Sequence, residues 1–229
     1  MPITKSHGNM YPWVTHTHSH LRGACTHACP YCYVQAIGRR FGSAAHTGPL
    51  RLDEDELKAN YGAGRTYFIE HSNDLFQDAV ETVWIDLITG HCRRFPDNVY
   101  VFQSRNTDRM SRLQHLLPVG CILGTTIETN RKTPGNAPHP KHRAFGLVHE
   151  RYDDTIRRFV TIEPILDFDV EGMMELLDIA APDFINIGAD SKGHGLVEPS
   201  ANKILALIDG IKKLGIEIRQ KTNLERLLK

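Results

Sequence analysis

Short apolar runs rich in β-branched and aromatic residues alternate along the chain with longer amphipathic stretches. The short runs predict β-strands, and the longer ones carry apolar residues at helical spacing. The predicted strands are 11–17, 66–70, 99–103, 121–128, 158–164, 184–189 and 216–220. The predicted helices are 78–94, 107–117, 170–180 and 201–215, with Asp169 and Ser200 as helix starts and Gly215 as a helix stop.

The alternation of strands and helices predicts parallel strands joined by right-handed helical crossovers. Six or seven such units favour a barrel over an open sheet, so we expect an α/β fold, a partial (β/α)6 TIM-like barrel. Without a long linker or an internal repeat, the chain predicts one domain over 1–229. Polar groups that follow barrel strands converge at one mouth. Here they are Glu70 to Asp74, Ser104 to Asn106, Glu128 to Asn130, Glu163, and Asp190 with Ser191.

The charge balance narrows the class of protein. Lysine and arginine together number 27, as do aspartate and glutamate, so the formal net charge is zero. This balance argues against a protein that coats nucleic acid or membranes through bulk charge. There is no signal-peptide pattern, and no stretch approaches the roughly 20 apolar residues of a membrane span. We therefore expect a cytoplasmic protein with no membrane partner, in which thiols stay reduced.

Three of the five cysteines lie close together, in the segment ACTHACPYCYV. Cys25, Cys29 and Cys32 follow the first predicted strand with the spacing C-x3-C-x2-C. Three thiolates in one loop can hold three irons of a [4Fe–4S] cluster and leave the fourth iron open. Cys92 and Cys121 fall in a predicted helix and strand, where we expect buried apolar residues. An open iron suits a cluster that binds a substrate or cofactor directly.

The segment CTHACPYC, with Tyr31 at the aromatic position, resembles the motif of the radical S-adenosylmethionine (SAM) superfamily. That resemblance implies a [4Fe–4S] cluster whose open iron chelates SAM. It also implies one-electron cleavage of SAM to a 5′-deoxyadenosyl radical, which abstracts hydrogen from a substrate. The implied partner is an external one-electron donor of flavodoxin or ferredoxin type.

Further segments, in order, resemble a small group of radical SAM proteins from bacteria and phages. More distantly, the chain is similar to spore photoproduct lyase, a DNA-repair member of the superfamily. The segments are YPWVTH, CPYCYV, HSNDLF, TIEPIL and IGADSKG. The substrate is not readable, although this analogy leaves nucleic acid open.

The resemblance also implies a set of site residues. Cys25, Cys29 and Cys32 would ligate the cluster. The expected cofactor-binding residues are Tyr31, Ser72, Asn73, Asp74, Thr126, Glu128, Glu163, Gly188 and Asp190.

Each of these residues is given a role by its position. The HSNDLF segment stands where the superfamily often has Gly-Gly-Glu, which this chain lacks. Asp74 would accept a hydrogen bond from the SAM ammonium. Thr126 and Glu128 would meet ribose hydroxyls or the sulfonium, with Glu163 in the same pocket. Gly188 would allow close backbone contact with the adenine.

Other interpretations of the same residues stay open. The three cysteines, with His20 or His27, would also suit a structural zinc ion in a binding module. The pair His16 and His18 would suit a metal-dependent hydrolase of TIM-barrel type. A run of histidines is also compatible with an ordinary polar loop.

Several polar residues have a structural alternative. Asp74 would also suit the cap of a helix that starts near Gln77. Glu128 and Glu163 would also suit inward residues paired with Arg or Lys. The segment 105–109 predicts a helix start, with Arg105 as an alternative ligand for a phosphate or the SAM carboxylate. The basic, Pro-rich segment 130–145 predicts a mobile loop or lid over the barrel mouth.

Overall fold

The computed structural model describes residues 3–42, 44–148 and 151–229. Of the domain predicted over 1–229, residues 1, 2, 43, 149 and 150 lie outside this description. The described strands are β1 (Thr4–Lys5), β2 (His16–His18), β3 (Leu21–Arg22), β4 (Arg51–Leu52), β5 (Thr66–Ile69), β6 (Val99–Gln103), β7 (Ile122–Thr126), β8 (Arg157–Ile162), β9 (Phe184–Ile187) and β10 (Glu217–Gln220).

Helices connect most of these strands. They are α1 (Tyr33–Phe41), α2 (Ala44–Thr47), α3 (Thr82–Arg93), α4 (Thr107–Arg112), α5 (Pro140–Gly146), α6 (Val170–Ala180) and α7 (Ala201–Lys213). Short 3-10 helices cover Glu54–Lys58, Gln114–Leu116 and Thr222–Leu227. In the described part of the chain, no helix is both long and apolar enough to cross a membrane.

The main sheet has eight strands in the order β1-β2-β5-β6-β7-β8-β9-β10. Every neighbouring pair from β2 onward is parallel, and only β1 joins antiparallel, at one edge. β3 and β4 form a separate antiparallel hairpin. The expected α/β fold with parallel strands is therefore confirmed, and the linear order corresponds to a partial barrel.

The two faces of the sheet differ because side chains alternate along each strand. Outward residues such as Tyr67, Ile69 and Leu123 join the large apolar cluster shared with the helices. Inward residues Phe68 and Phe159 join a smaller cluster that fills one end of the barrel. The polar residues of the inner face lie towards the carboxyl ends of the strands, where a ligand has room.

The helix boundaries follow local chemistry. Ser200 caps α7 by accepting a hydrogen bond from the Lys203 amide. Asp169 directly precedes α6, as predicted. Gly215 has a φ of +72°, which glycine adopts at little cost, and follows α7 at its expected end.

Several features differ from the sequence expectations. The helix predicted over 78–94 begins only at Thr82, because residues 70–80 form turns that carry site residues. Part of the segment predicted as a mobile loop forms α5, with Pro140 at its start. The hairpin β3–β4 and helix α1 were not predicted. The two strands of this hairpin have two residues each, which is too short for a period of two to be visible in the sequence.

Candidate functional site

A pocket of about 630 Å³ lies at the carboxyl edge of the parallel strands. Its lining includes residues that follow five of these strands: Glu70, Ser104, Glu163, Asp190 and Lys221. The volume falls within the range of about 300–1,000 Å³ that is typical of small-molecule and cofactor sites. The expected convergence is therefore present for four of the five polar segments, whereas Glu128, Thr129 and Asn130 do not line the pocket.

The three clustered cysteines form part of the pocket wall. Cys25, Cys29 and Cys32 all line the pocket, all are free thiols, and all are partly exposed. Their loop closes on itself through the Cys32 amide, which donates to the Cys29 carbonyl at 3.1 Å. The loop then continues directly into α1, for which Cys32 is the N-cap residue.

Burial controls the acidity of the Cys25 and Cys29 thiols. It raises the pKa of Cys25 to about 12, helped by the nearby Asp74 carboxylate. Burial also raises the pKa of Cys29, although the Arg105 guanidinium opposes this shift. Metal binding must therefore displace protons from these two thiols. Three thiolate donors on one wall of a pocket suit a [4Fe–4S] cluster. The three cysteines therefore fit the cluster that the sequence motif implies.

Asp74 joins the cysteine loop to two other segments of the pocket wall through hydrogen bonds. Its Oδ2 accepts hydrogen bonds from His27 Nε2 and the Arg105 amide, both at 2.8 Å. Its Oδ1 accepts from the Ser104 hydroxyl at 2.7 Å and the Phe76 amide at 2.9 Å. Burial acts to raise the pKa of Asp74, but these bonds outweigh it and the pKa lies below its usual value. Asp74 does not cap α3, so that alternative is wrong.

Two amide side chains brace the cysteine loop from outside. Gln77 Oε1 accepts from both the backbone amide and the hydroxyl of Thr26, each at 2.7 Å. Asn136 donates to the carbonyls of His27 (2.8 Å) and Thr26 (3.1 Å), from its backbone and side chain respectively. The segment predicted as a lid therefore packs on the cysteine loop. Gly135 makes this approach possible, since an added Cβ would lie 2.7 Å from the His27 carbonyl oxygen.

A chain of charges links the cysteine loop to α5. Arg105 Nη2 donates to the Tyr31 hydroxyl at 2.9 Å, and Arg105 Nη1 donates to Glu128 Oε1. Arg143 Nη1 donates to Glu128 Oε2 at 2.7 Å, with both side chains fully buried. Burial raises the pKa of Glu128, and Arg143 opposes the shift. The geometry matches the alternative in which Glu128 is an inward residue paired with arginine.

Glu163 holds the two chain ends together at the pocket rim. Its carboxylate accepts from Lys221 Nζ at 2.7 Å and from Asn9 Nδ2 at 2.8 Å. Gly188 packs against it, because an added Cβ would lie 2.8 Å from Glu163 Oε1. Asn223 donates to the same oxygen at 3.3 Å. Glu163 thus faces the pocket while it is also ion-paired.

The pocket floor consists of hydrogen-bonded polar side chains above an aromatic layer. The Tyr11 hydroxyl donates to Gln103 Oε1 at 2.8 Å and lies 2.6 Å from the Thr161 hydroxyl. Gln103 in turn donates to the Thr126 hydroxyl at 2.8 Å. Tyr11 stacks on Trp13 with ring centroids 5.3 Å apart. This layer closes the barrel beneath the pocket and excludes water from that side.

Most of the predicted cofactor-binding residues meet at this pocket. Seven of the nine line it: Tyr31, Ser72, Asn73, Asp74, Thr126, Glu163 and Asp190. Glu128 and Gly188 lie behind the lining, the first between two arginines and the second against Glu163. Their contacts with SAM stay predictions.

The hydrolase alternative is contradicted by strand geometry. His16 pairs with Tyr67 and His18 pairs with Ile69, so both histidines share the outer face of the sheet. Thr17 points to the pocket instead. Both nitrogens of His18 are already engaged, Nδ1 with the Tyr61 hydroxyl at 2.7 Å and Nε2 with a carboxylate.

The two histidines considered as a fourth zinc ligand are also engaged. His20 Nδ1 lies 2.8 Å from Glu70 Oε1, and its Nε2 lies 3.0 Å from His91 Nδ1. His27 Nε2 contacts Asp74. Within residues 3–42, 44–148 and 151–229, no three His, Cys, Asp or Glu side chains are grouped so as to hold one metal ion.

Sequence reasoning missed several site residues because their partners are distant in the chain. Gln77 and Asn136 contact Thr26 from positions 51 and 110 residues away. Tyr11 and Lys221 line the pocket from opposite ends of the sequence. The one available signal was that Gln77 follows the HSNDLF segment directly.

Three solved structures of spore photoproduct lyase are similar to this chain. A double mutant with bound AdoMet and dinucleoside spore photoproduct has a TM-score of 0.56 at 12% identity, covering 90% of this chain and 63% of that one. A complex with dinucleoside spore photoproduct has a TM-score of 0.61 at 11% identity, covering 95% and 79%. A single mutant has a TM-score of 0.59 at 11% identity, with the same coverage.

The chain thus spans less than two thirds of the first of these lyase chains. No protein-family model matches the sequence, and no curated protein sequence matches it. Identities of 11–12% establish likeness in fold alone. The chain therefore has the partial-barrel fold of spore photoproduct lyase, a radical SAM enzyme.

Proposed function

We propose that this chain is a radical SAM enzyme that binds one [4Fe–4S] cluster through Cys25, Cys29 and Cys32, and SAM at the open iron. The observation that carries the proposal is the presence of these three free thiols on one wall of the pocket at the carboxyl ends of the strands. Likeness in fold to a lyase structure with bound AdoMet supports it.

The residues of the chain would orient the cofactors and keep out water. When bound, the cluster would supply one electron that cleaves SAM into methionine and a 5′-deoxyadenosyl radical, which takes a hydrogen atom from the substrate. Asp74 fixes the cysteine loop through His27. Thr126 and Asp190 offer oxygen atoms to the hydroxyl or amino groups of SAM.

Two partners of the enzyme follow from this proposal, a substrate and an electron donor. A substrate of nucleic-acid type is supported by fold likeness to a lyase that holds a dinucleoside spore photoproduct. Exposed Lys132 and Lys141, in the segment that packs on the cysteine loop, supply positive charge beside the site. The electron donor would be an external protein of flavodoxin or ferredoxin type.

Anaerobic reconstitution with iron and sulfide tests the cluster. Wild-type protein should gain absorbance at about 400 nm, as expected for Cys-ligated iron–sulfur clusters. Cys25→Ala, Cys29→Ala and Cys32→Ala should each abolish it. Cys92→Ala and Cys121→Ala are matched controls, because these two thiols are buried away from the pocket. Uptake of zinc without iron by the wild type would contradict the proposal.

Product analysis tests the reaction. Reconstituted protein with SAM and dithionite should release 5′-deoxyadenosine, and candidate oligonucleotides should increase that release if they are substrates. A cluster that forms without any SAM cleavage would contradict the enzymatic part alone. A cluster with SAM cleavage but no response to nucleic acid would contradict only the substrate class.

A further inference from the structure

An apolar stripe covers the outer face of α1, the helix that follows the third cysteine. Tyr33, Ile37 and Phe41 stand four residues apart, so they share one face of the helix. Their exposed fractions are 41%, 40% and 69%. The neighbouring face of the helix is packed, since Val34 is buried and an added Cβ on Gly38 would lie 2.6 Å from Thr47 Cγ2. The stripe is therefore not needed to complete the core.

This stripe starts at the cysteine loop, beside the pocket, and runs away from it along α1. The Cys32 carbonyl accepts from the Ala36 amide at 3.2 Å, in the first turn of α1. Tyr33 borders the pocket and donates from its hydroxyl to the His71 carbonyl at 2.8 Å. Ile37 and Phe41 are not part of the pocket lining. A nine-residue helix is about 13 Å long, so the whole stripe lies near the thiols.

The positive charge of α1 favours a partner with an acidic surface. Its sequence, YVQAIGRRF, holds two arginines and no carboxylate. The Arg40 guanidinium lies over the Phe41 ring, 5.4 Å from its centroid, so apolar and positive surface are adjacent. Such a surface complements a protein with an apolar patch inside an acidic rim. Electron-transfer encounters use small interfaces of this kind.

We propose that the outer face of α1 is the docking surface for an acidic one-electron carrier protein that reduces the cluster. The proposal rests on the proposed radical SAM function, which requires an electron from outside the protein. The wall that carries the cysteines is a short covalent route to the cluster, and α1 is continuous with that wall. The pocket is left free for SAM and substrate.

The test compares a protein donor with a small one. Reconstituted wild-type protein, Ile37→Glu and Phe41→Glu are mixed with reduced flavodoxin or with dithionite, and bleaching of the cluster absorbance is followed by stopped flow. Each variant should lower the rate with flavodoxin by about tenfold, the effect of roughly 1.4 kcal/mol, and leave the dithionite rate unchanged. Arg40→Glu should lower the flavodoxin rate at low salt, and this difference should vanish near 1 M salt.

Val83→Glu and Leu87→Glu are matched controls. They place the same charge on an exposed apolar pair of α3, where the exposed fractions are 56% and 44%. Both should reduce at the wild-type rate. Equal flavodoxin rates in all variants, or a wild type that dithionite reduces and flavodoxin does not, would overturn the proposal. A wild-type dimer that Phe41→Glu dissociates would also overturn it, because a second copy then covers the stripe. Failure to assemble a cluster would instead overturn the proposed function.

Discussion

Arg105 and Tyr31 are joined by a hydrogen bond of 2.9 Å, which ties the end of β6 to the cysteine loop. The same guanidinium lies 5.5 Å from the Tyr31 ring centroid and bonds to buried Glu128. Arginine can make these contacts together because its donors form a planar fork, whereas lysine has a single ammonium. The orientation of Tyr31 at the pocket therefore depends on a residue 74 positions away.

Arg105→Lys and Tyr31→Phe should weaken SAM binding through the same interaction. Each loses a hydrogen bond to a charged group, worth about 1.5–3 kcal/mol. The dissociation constant of SAM for the reconstituted protein, measured by equilibrium dialysis, should rise accordingly. The double variant should bind SAM about as tightly as the single variant with the lower affinity, since both changes remove the same Arg105–Tyr31 hydrogen bond. Fully additive effects would show that the two residues act separately.

Arg143→Met should destabilise the protein by about 3 kcal/mol, the lower end of the usual cost of breaking a buried ion pair, because Arg105 still pairs with Glu128. Glu128 and Arg143 are both fully buried and 2.7 Å apart. The double variant Glu128→Gln with Arg143→Met should recover part of the loss, because a neutral amide then replaces the buried carboxylate. Urea unfolding followed by fluorescence measures both effects.

An exposed pair supplies the comparison. Arg112 and Asp108 form an ion pair at 3.2 Å with more than half of each side chain exposed. Arg112→Met should therefore cost no more than about 1 kcal/mol. A loss of similar size in Arg112→Met and Arg143→Met would refute the account given for the buried pair.

The sequence predicted those parts of the fold that depend on local patterns. Strands such as Val99–Gln103 were visible because a central strand buried on both faces is a continuous apolar run. Helices α6 and α7 were visible through their spacing and through Asp169 and Ser200. Helix α1 was not predicted, because the adjoining cysteine motif was interpreted as a loop.

The site was predictable in outline and not in its contacts. The cysteine spacing and the polar residues after strands located the pocket, because parallel strands end at the same edge. The partner of Glu128 was not predictable, because nothing in a Pro-rich basic segment indicates that Arg143 is fully buried. The role of Asp74 was likewise hidden, since its donors come from three separate segments.

Gly135→Ala should displace the cysteine loop as well as lower the stability of the protein. Gly135 has a φ of +108°, and an added Cβ would lie 2.7 Å from the His27 carbonyl oxygen. The methyl group would push the loop away from Asn136, which donates to that carbonyl at 2.8 Å. We expect a lower iron content after reconstitution and faster loss of iron to a chelator.

Gly120→Ala is the control that separates the strain of a positive φ from the contact with the cysteine loop. Gly120 has a φ of +68°, yet an added Cβ meets nothing within 4 Å. Both substitutions carry the cost of a positive φ, about 1–2 kcal/mol, but only Gly135→Ala should reduce iron retention. Equal iron retention in the two variants would show that the contact with His27 has no role in holding the loop.

Acid should destabilise the protein through two buried histidines, His18 and His91. Burial lowers the pKa of His18 and of His91 from 6.5 to about 4. In the unfolded chain both protonate near pH 6.5, whereas in the folded protein they stay neutral until about pH 4. The unfolded state therefore binds more protons in this window, so the free energy of unfolding falls as pH drops from 6.5 towards 4, by up to about 1.4 kcal/mol per histidine for each pH unit.

His18→Gln should flatten this pH dependence, because it removes one group that titrates differently in the two states. His115→Gln is the matched control, since His115 is exposed, and it should leave the slope unchanged. Urea unfolding at several pH values between about 4 and about 7 gives the slope directly as a difference in bound protons. A slope that is the same in wild type and His18→Gln would mean that His18 binds equally many protons in the folded and unfolded states, as expected if Glu56 at 2.8 Å offsets the effect of burial.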